Sequence, residues 1–327
     1  MTEVSRPWLP SAAVAVSVVL WSTAYGLSAV VLVTASPAVV AELRLLLAVP
    51  PLVALIALRR GAGGLVALGR ALARPTTVLF GLTGVSLFYL PSNLGLALST
   101  AGTASLMSAS LPVFTALLAW LLLGERVTPR MLLGFSLTVV GVVAGSVGSA
   151  QFGLGALLLV GGLLSYAVYT VLLRRVGSRH PAAGVVADPV VLATATALWG
   201  AALLLPWLGW EAAAGIAAWP AGGAGWASIL FLAVIVTGPT MALFSYGAER
   251  VPAAVAGTAT GAVPALGYAF AVLLGEPVEA IKVAGSALAL AGIVVAVLAP
   301  APRAADAQPV SDLRGAQPTA STRSFSS

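Results

Sequence analysis

Two charges inside an apolar run are the residues of this chain whose types most directly suggest chemistry. Glu42 and Arg44 lie in VVAELRLLLAVP, where a carboxylate can carry a proton and a guanidinium can hold an anion. Two residues apart on a helix, they point about 200° from each other, so neither is the other's partner. At about 1.5 Å per residue from Pro37, both fall within about 7 to 11 Å of a helix end. Bracing of neighbouring helix ends and contact with a solute are both open to them.

Polar and aromatic residues at helical spacing surround this pair in the sequence. Ser105, Ser108, Pro112 and Thr115 form one stripe, and Gly257, Thr260, Pro264 and Gly267 form another with Tyr268 beside it. Ser86, Tyr89 and Asn93 align in a third run, and Thr237, Thr240 and Phe244 in a fourth, with Ser245 and Tyr246 adjacent. Trp21, Ser22 and Tyr25, and then Ser165, Tyr166 and Tyr169, complete the set. The chemistry these residue types imply is binding: hydroxyls for hydrogen bonds and rings that stack on a flat or amphipathic solute. Small and hydroxylated residues are also common at helix contacts, so packing is the competing reading for each of them.

Covalent catalysis finds little support. There is no cysteine, and the single histidine, His180, sits in a basic loop before Pro181 where a solvated role is expected. No metal-spaced cluster, histidine dyad or acidic pair on one face occurs, so neither catalytic residues, metal nor cofactor is expected.

The elements that must position these residues are membrane helices. The chain is 60% hydrophobic and 8% charged, with a mean hydropathy of +1.05, where soluble domains carry about a quarter charged residues. Ten apolar runs of about 18 to 23 residues can be counted, each long enough to cross a bilayer. Spans 1 to 5 are expected near residues 10–32, 37–58, 77–98, 103–123 and 131–147. Spans 6 to 10 are expected near 153–173, 188–206, 225–247, 253–274 and 280–298.

The second five repeat the first. LPVFTALLAWLLLGE (Leu111 to Glu125) returns as AVPALGYAFAVLLGE (Ala262 to Glu276), 151 positions later at the closing glutamate. Gly134 and Gly141 follow Glu125 at the distances at which Gly285 and Gly292 follow Glu276. WSTAY in span 1 matches SYAVY in span 6, so span 1 is expected to be a retained helix rather than a cleaved signal. Five is odd, so the second copy crosses in the opposite sense, an inverted repeat.

The net charge of +6 is spread through loops and does not form a nucleic-acid-binding face. With both termini in the cytoplasm, Arg6, Arg59, Arg60, Arg70, Arg74, Arg126, Arg130, Arg174, Arg175, Arg179 and Arg250 all fall inside, as do tail arginines, while Lys282 falls outside. The expected organisation is a cytoplasmic amino terminus (1–9), a first repeat (10–148), a second repeat (152–299) and a disordered cytoplasmic tail (300–327). Residues 59–74 read as a basic loop, and Trp207, Trp210, Trp219 and Trp226 as interfacial anchors around the connection 209–224. Glu125 is expected to brace the start of span 5 and Glu276 the start of span 10.

The two halves resemble EamA-type domains of the drug/metabolite transporter superfamily. The resemblance is carried by LWSTAYG, SPAVVAELRLLLA and NLGLALSTAGTASLMSASLPVFTALLAWLLLGERVTPRMLLGFSLTVVGVV in the first half. SYAVYTVLLRR and SYGAERVPAAVAGTATGAVPALGYAFAVLLGEPVEAIKVAGSALALAGIVV carry it in the second. It implies an all-α integral membrane protein of the bacterial inner membrane, ten transmembrane helices in two inverted five-helix repeats, with alternating access to a central cavity. Members export amino acids, related metabolites or drugs, and some import. Departures fall at Val186 and Asp188, which stand where Glu42 and Arg44 do in the first half, and at Pro277 in place of Arg126.

The expectation is a secondary carrier for a small amphipathic solute in the lipid bilayer, with Glu42 and Arg44 as charged coupling candidates and a cavity between spans 1, 3, 4, 6, 8 and 9. Drug efflux or metabolite uptake by the same fold is the alternative. An intramembrane enzyme and a structural membrane partner without a cavity are the rivals from other classes.

Overall fold

The computed structural model describes residues 8–147, 153–179 and 188–298. Ten of its helical segments are long and apolar enough to cross a membrane, and no strand occurs among the described residues. Spans 1 to 5 are Leu9–Leu32, Pro37–Leu72, Pro75–Ala97, Ala101–Leu123 and Pro129–Ser146. Spans 6 to 10 are Leu154–Val176, Pro189–Ala213, Gly222–Ala248, Val255–Leu273 and Ala280–Val297. His180, the terminal segments and the tail lie outside the described residues.

Proline and glycine set most of these boundaries. Pro37, Pro75 and Pro189 stand in first helical turns, where the missing N–H costs nothing. The repeated Leu-Leu-Gly-Glu closes spans 4 and 9 through left-handed glycines, Gly124 (φ 70°) and Gly275 (φ 103°). Beyond them, Glu125 N donates to Ala119 O at 3.3 Å and Glu276 N to Ala271 O at 3.1 Å. The motif that revealed the duplication is therefore a helix stop.

Span 2 departs from expectation. Residues 62–72, read as part of a basic loop, continue the helix past a kink at Gly61 (φ 55°, ψ −146°). Gly64, Leu68 and Ala71 recur at helical spacing and are buried, so this segment folds by laying one face on the protein. The connection before span 8 also shortens, because span 7 runs on to Ala213. Its tryptophans Trp207, Trp210, Trp219 and Trp226 are all exposed.

Corresponding spans of the two halves run antiparallel where they meet, as an inverted repeat requires. Arg60 of span 2 pairs at 2.8 Å with Asp188, which precedes span 7, while the opposite ends meet where Ser36 donates to Glu211 at 2.5 Å. Spans 5 and 10 share a glycine seam. A Cβ at Gly134 would lie 2.5 Å from Gly292 O, and one at Gly141 would lie 2.6 Å from Gly285 O. Only glycine lets the two backbones approach this closely.

Spans 3 and 8 are each interrupted by a π-helical stretch, Leu82–Ser86 and Leu232–Thr237. Each lies amino-terminal to an in-span proline, Pro91 or Pro239, and side-chain hydroxyls take up carbonyls in these irregular turns. Thr237 donates to Leu232 O at 2.8 Å, Thr240 to Ile235 O at 2.7 Å and Ser86 to Gly81 O at 3.2 Å. Wide turns of this kind are frequent at functional sites.

Candidate functional site

Arg60, Arg70, Arg74, Arg174 and Arg250 gather at one end of the spans, the arginine-rich face. A cavity of about 340 Å³ runs from mid-span toward this face, between spans 2, 3, 6, 7 and 8. Its wall is aromatic on one side, with Phe88 and Tyr89 from span 3 and Tyr166 and Tyr169 from span 6. Span 7 contributes Leu192 and Thr196, and span 8 contributes Thr237, Met241 and Ser245. The mouth carries Leu173 and Pro189.

The rings form one chain of contacts. Centroids lie 5.1 Å apart for Phe88 and Tyr89, 5.0 Å for Phe88 and Tyr166, and 5.3 Å for Tyr166 and Tyr169, and Tyr169 meets Phe80 edge-on at 5.7 Å. Gly84 makes room for this wall, since a Cβ there would lie 2.6 Å from the Tyr169 ring. Arg44 stands behind it, its Nε donating to Thr237 at 3.0 Å and its guanidinium carbon 4.9 Å from the Tyr89 ring centroid. No acidic residue lines the cavity.

Of the residues singled out in the sequence, Tyr89, Tyr166, Tyr169, Thr237 and Ser245 line this cavity, and Arg44 contacts its wall. The others serve helix contacts or helix turns. Asn93 donates to Pro37 O at 3.2 Å, tying span 3 to span 2. Ser105 donates to Pro264 O at 3.1 Å and Ser165 to Thr83 O at 2.8 Å, so these hydroxyls join span 4 to span 9 and span 6 to span 3. Ser22, Ser108 and Thr260 bond carbonyls in their own spans. Thr240 is buried, and its carbonyl accepts from Ser17 at 3.3 Å. Trp21 packs on Phe244 at 4.8 Å, and Tyr25 lies against the cluster around Leu106 and Leu159.

Three expected positions lie clearly away from the cavity. Tyr246 is 40% exposed, with Arg250 over its ring at 4.3 Å. Pro112 is exposed at the start of a helical turn. Tyr268 is buried at the opposite end, where its hydroxyl accepts from Glu279 N at 2.9 Å. Spans 1, 4 and 9 therefore do not line the cavity, and spans 2 and 7 do. The carbonyl of Pro264 is satisfied by Ser105 rather than by space, which is why a proline in span 9 did not mark a cavity wall. Phe88, Thr196 and Met241 were not anticipated, because nothing in an apolar run distinguishes them from lipid-facing neighbours.

At the face opposite the arginines the span ends are tied together by carboxylates, and a separate hollow of about 450 Å³ opens there between Leu32, Ser36, Leu94, Trp207 and Ile216. Glu276 accepts from Gly102 N at 3.1 and 3.2 Å, so it caps span 4 and not span 10 as expected. Gly102 is needed there, since a Cβ would meet both Glu276 and the Tyr268 ring. Glu211 accepts from Ser36, from Ala38 N at 3.2 Å and from Trp207 Nε1 at 3.3 Å, holding the start of span 2. The symmetry mate of Glu276 behaves differently: Glu125 is half exposed and pairs with Arg174 at 3.3 Å, away from the start of span 5 where it was expected.

A fold with ten apolar spans agrees with the comparisons. The model of the EamA-like transporter family matches residues 9–146 and again 153–298. The chain belongs to this family. It is 32% identical over 249 residues to a "probable terminal-alkyne amino-acid exporter" of Streptantibioticus cattleyicolor, covering 74% of this chain and 80% of that one. It is 28% identical over 224 residues to the uncharacterized transporter YetK of Bacillus subtilis, covering 66% of each chain. An uncharacterized transporter of Archaeoglobus fulgidus is 28% identical over 228 residues, covering 68% of this chain and 77% of that one. A solved crystal structure superposes with a TM-score of 0.65 at 21% identity over 91% of this chain and 99% of its own, which shows the shared fold.

Proposed function

We propose that the chain is a secondary carrier that exports amino acids or related small amphipathic metabolites across the bacterial inner membrane. The observation that carries this reading is the aromatic cavity of about 340 Å³ reaching toward the arginine-rich face while the opposite face is clamped. Its size suits one amino-acid-sized solute, small-molecule sites running from about 300 Å³ upward. The positive-inside rule assigns the arginine-rich face to the cytoplasm, so the structure corresponds to the state that loads from within. The naming of one relative as a probable amino-acid exporter supports the substrate class.

Alternation follows from the inverted repeat. Glu276, which ends span 9, caps span 4 and closes the outer face. Glu125, which ends span 4, is the corresponding carboxylate on the inner face and is free of span 9 in this state. In the outward-facing state Glu125 caps the start of span 9, Glu276 releases span 4, and the solute leaves to the outside.

Counterflow in proteoliposomes loaded with a panel of unlabelled amino acids tests this reading. Radiolabelled solute should enter faster than in protein-free vesicles. Tyr169→Ala, which opens the aromatic wall, should slow entry by about tenfold, a loss of about 1.4 kcal/mol of solute binding. Unchanged flux in Tyr89→Ala and Tyr169→Ala would remove the cavity from the transport route.

A further inference from the structure

Arg44 carries a buried charge that the folded chain does not answer. Two cations are buried among the described residues, Arg44 and Lys282. Lys282 donates to Glu279 at 2.6 Å, an ordinary neutralising pair. Arg44 forms no ion pair among the described residues. Its partners are a neutral hydroxyl, Thr237 Oγ1, and the face of the Tyr89 ring. A cation held in a span without a counter-charge is costly, and such groups mark solute or ion pathways.

The geometry leaves one edge of the guanidinium available. Nε is taken by Thr237, and the ring of Tyr89 holds the planar group through its face. Nη1 and Nη2 make no hydrogen bond among the described residues, and neither is among the buried polar atoms sealed off without a partner. These two nitrogens form the fork that receives a carboxylate through two parallel N–H···O bonds. Both residues that hold Arg44 line the cavity, deeper than Leu173 and Pro189 at its mouth, and Arg44 itself stands one contact behind them. Thr237 sits in the π-helical stretch of span 8, whose hydroxyl donates onward to Leu232 O, so the irregular turn fixes the acceptor that orients the fork.

We infer that Arg44 is the binding site for the solute's carboxylate, so that the cavity selects small organic carboxylates with an apolar or aromatic body over their neutral counterparts. The body lies against Phe88, Tyr166, Tyr169 and Leu192, and the solute supplies the counter-charge that the protein lacks. This rests on the reading of the cavity as the carrier's solute site.

The test is equilibrium binding by calorimetry to the full-length protein in lipid nanodiscs. The probes are two matched pairs, 3-phenylpropionate with 3-phenylpropionamide and L-phenylalanine with L-phenylalaninamide. The carboxylate of each pair should bind at least about tenfold tighter than its amide, the effect of one charge-assisted pair worth about 1.4 kcal/mol. Arg44→Gln should remove this preference while leaving amide affinity within roughly twofold. Where Arg44→Gln does not yield folded, monodisperse protein, Arg44→Lys carries the test: it keeps the charge and loses the fork, and the preference should fall to about threefold. Equal binding of acid and amide to the wild type overturns the inference and leaves the cavity reading standing, as does an unchanged preference in folded Arg44→Gln. Binding of neither member of either pair overturns the inference together with the cavity reading.

Discussion

Four acidic or basic side chains, Glu42, Arg44, Glu211 and Lys282, are buried in the described residues, and they differ in what answers them. Glu211 accepts three hydrogen bonds and joins the ends of spans 2 and 7, and Lys282 is neutralised locally by Glu279 at the start of span 10. Arg44 is held by a hydroxyl and a ring on one side only. Glu42 is 4% exposed, and its Oε2 has no hydrogen-bond partner among the described residues. It projects from span 2 on the face away from Arg44, so it is placed to carry a proton without touching the solute. If it couples transport to protons, Glu42→Gln should retain counterflow, which needs no net driving force, and lose the flux driven by an imposed pH gradient. Flux assays under both conditions check this. Equal gradient-driven flux in wild type and variant would make the protein a facilitator or move coupling to a span-end acid.

Helices and their seams were the legible part of the sequence. Ten runs of membrane length and the antiparallel relation of the two halves follow from hydropathy and from the repeat of Leu-Leu-Gly-Glu, because length and glycine position are local properties. The matched spacing of Gly134 and Gly141 with Gly285 and Gly292 likewise marked a real contact, the packing of span 5 on span 10. A leucine at Gly141 would place its Cβ about 2.6 Å from Gly285 O and Ala289 N. Gly141→Leu should therefore lower stability by about 1 to 3 kcal/mol, the usual cost of overpacking, seen as a fall in melting temperature of the purified protein. An unchanged melting temperature would mean that the seam is loose. The cavity wall was less legible. Asn93, Ser105 and Tyr268 have the residue types of a binding site, but each is committed to a backbone group on another span or at a helix start, and such pairings depend on how helices dock. Span 2 hid its role for a similar reason: Leu45, which lines the cavity, looks in sequence like any lipid-facing leucine.

At the scale of the whole molecule, the two ends of the bundle are in different states. Opposite the arginine-rich face, the start of span 4 is joined to the end of span 9 through Gly102 and Glu276, and at the arginine-rich face the end of span 4 is held by an exposed pair between Glu125 and Arg174. Both halves carry the same Leu-Leu-Gly-Glu stop, so in the alternating-access reading proposed above this difference belongs to the conformation. The central claim is that the cavity faces the cytoplasm while Glu276 holds the outer gate shut. The chain has no cysteine, so a single Met241→Cys substitution places one thiol in the cavity wall. Its rate of reaction with a membrane-impermeant maleimide, measured separately from each side of oriented vesicles, tests the claim most directly. The thiol should react from the arginine-rich face. Adding Glu276→Ala, which removes a hydrogen bond worth about 1 kcal/mol, should slow that reaction by up to about fivefold as the population shifts outward. Equal reaction from both faces, or a rate indifferent to Glu276→Ala, would contradict the account.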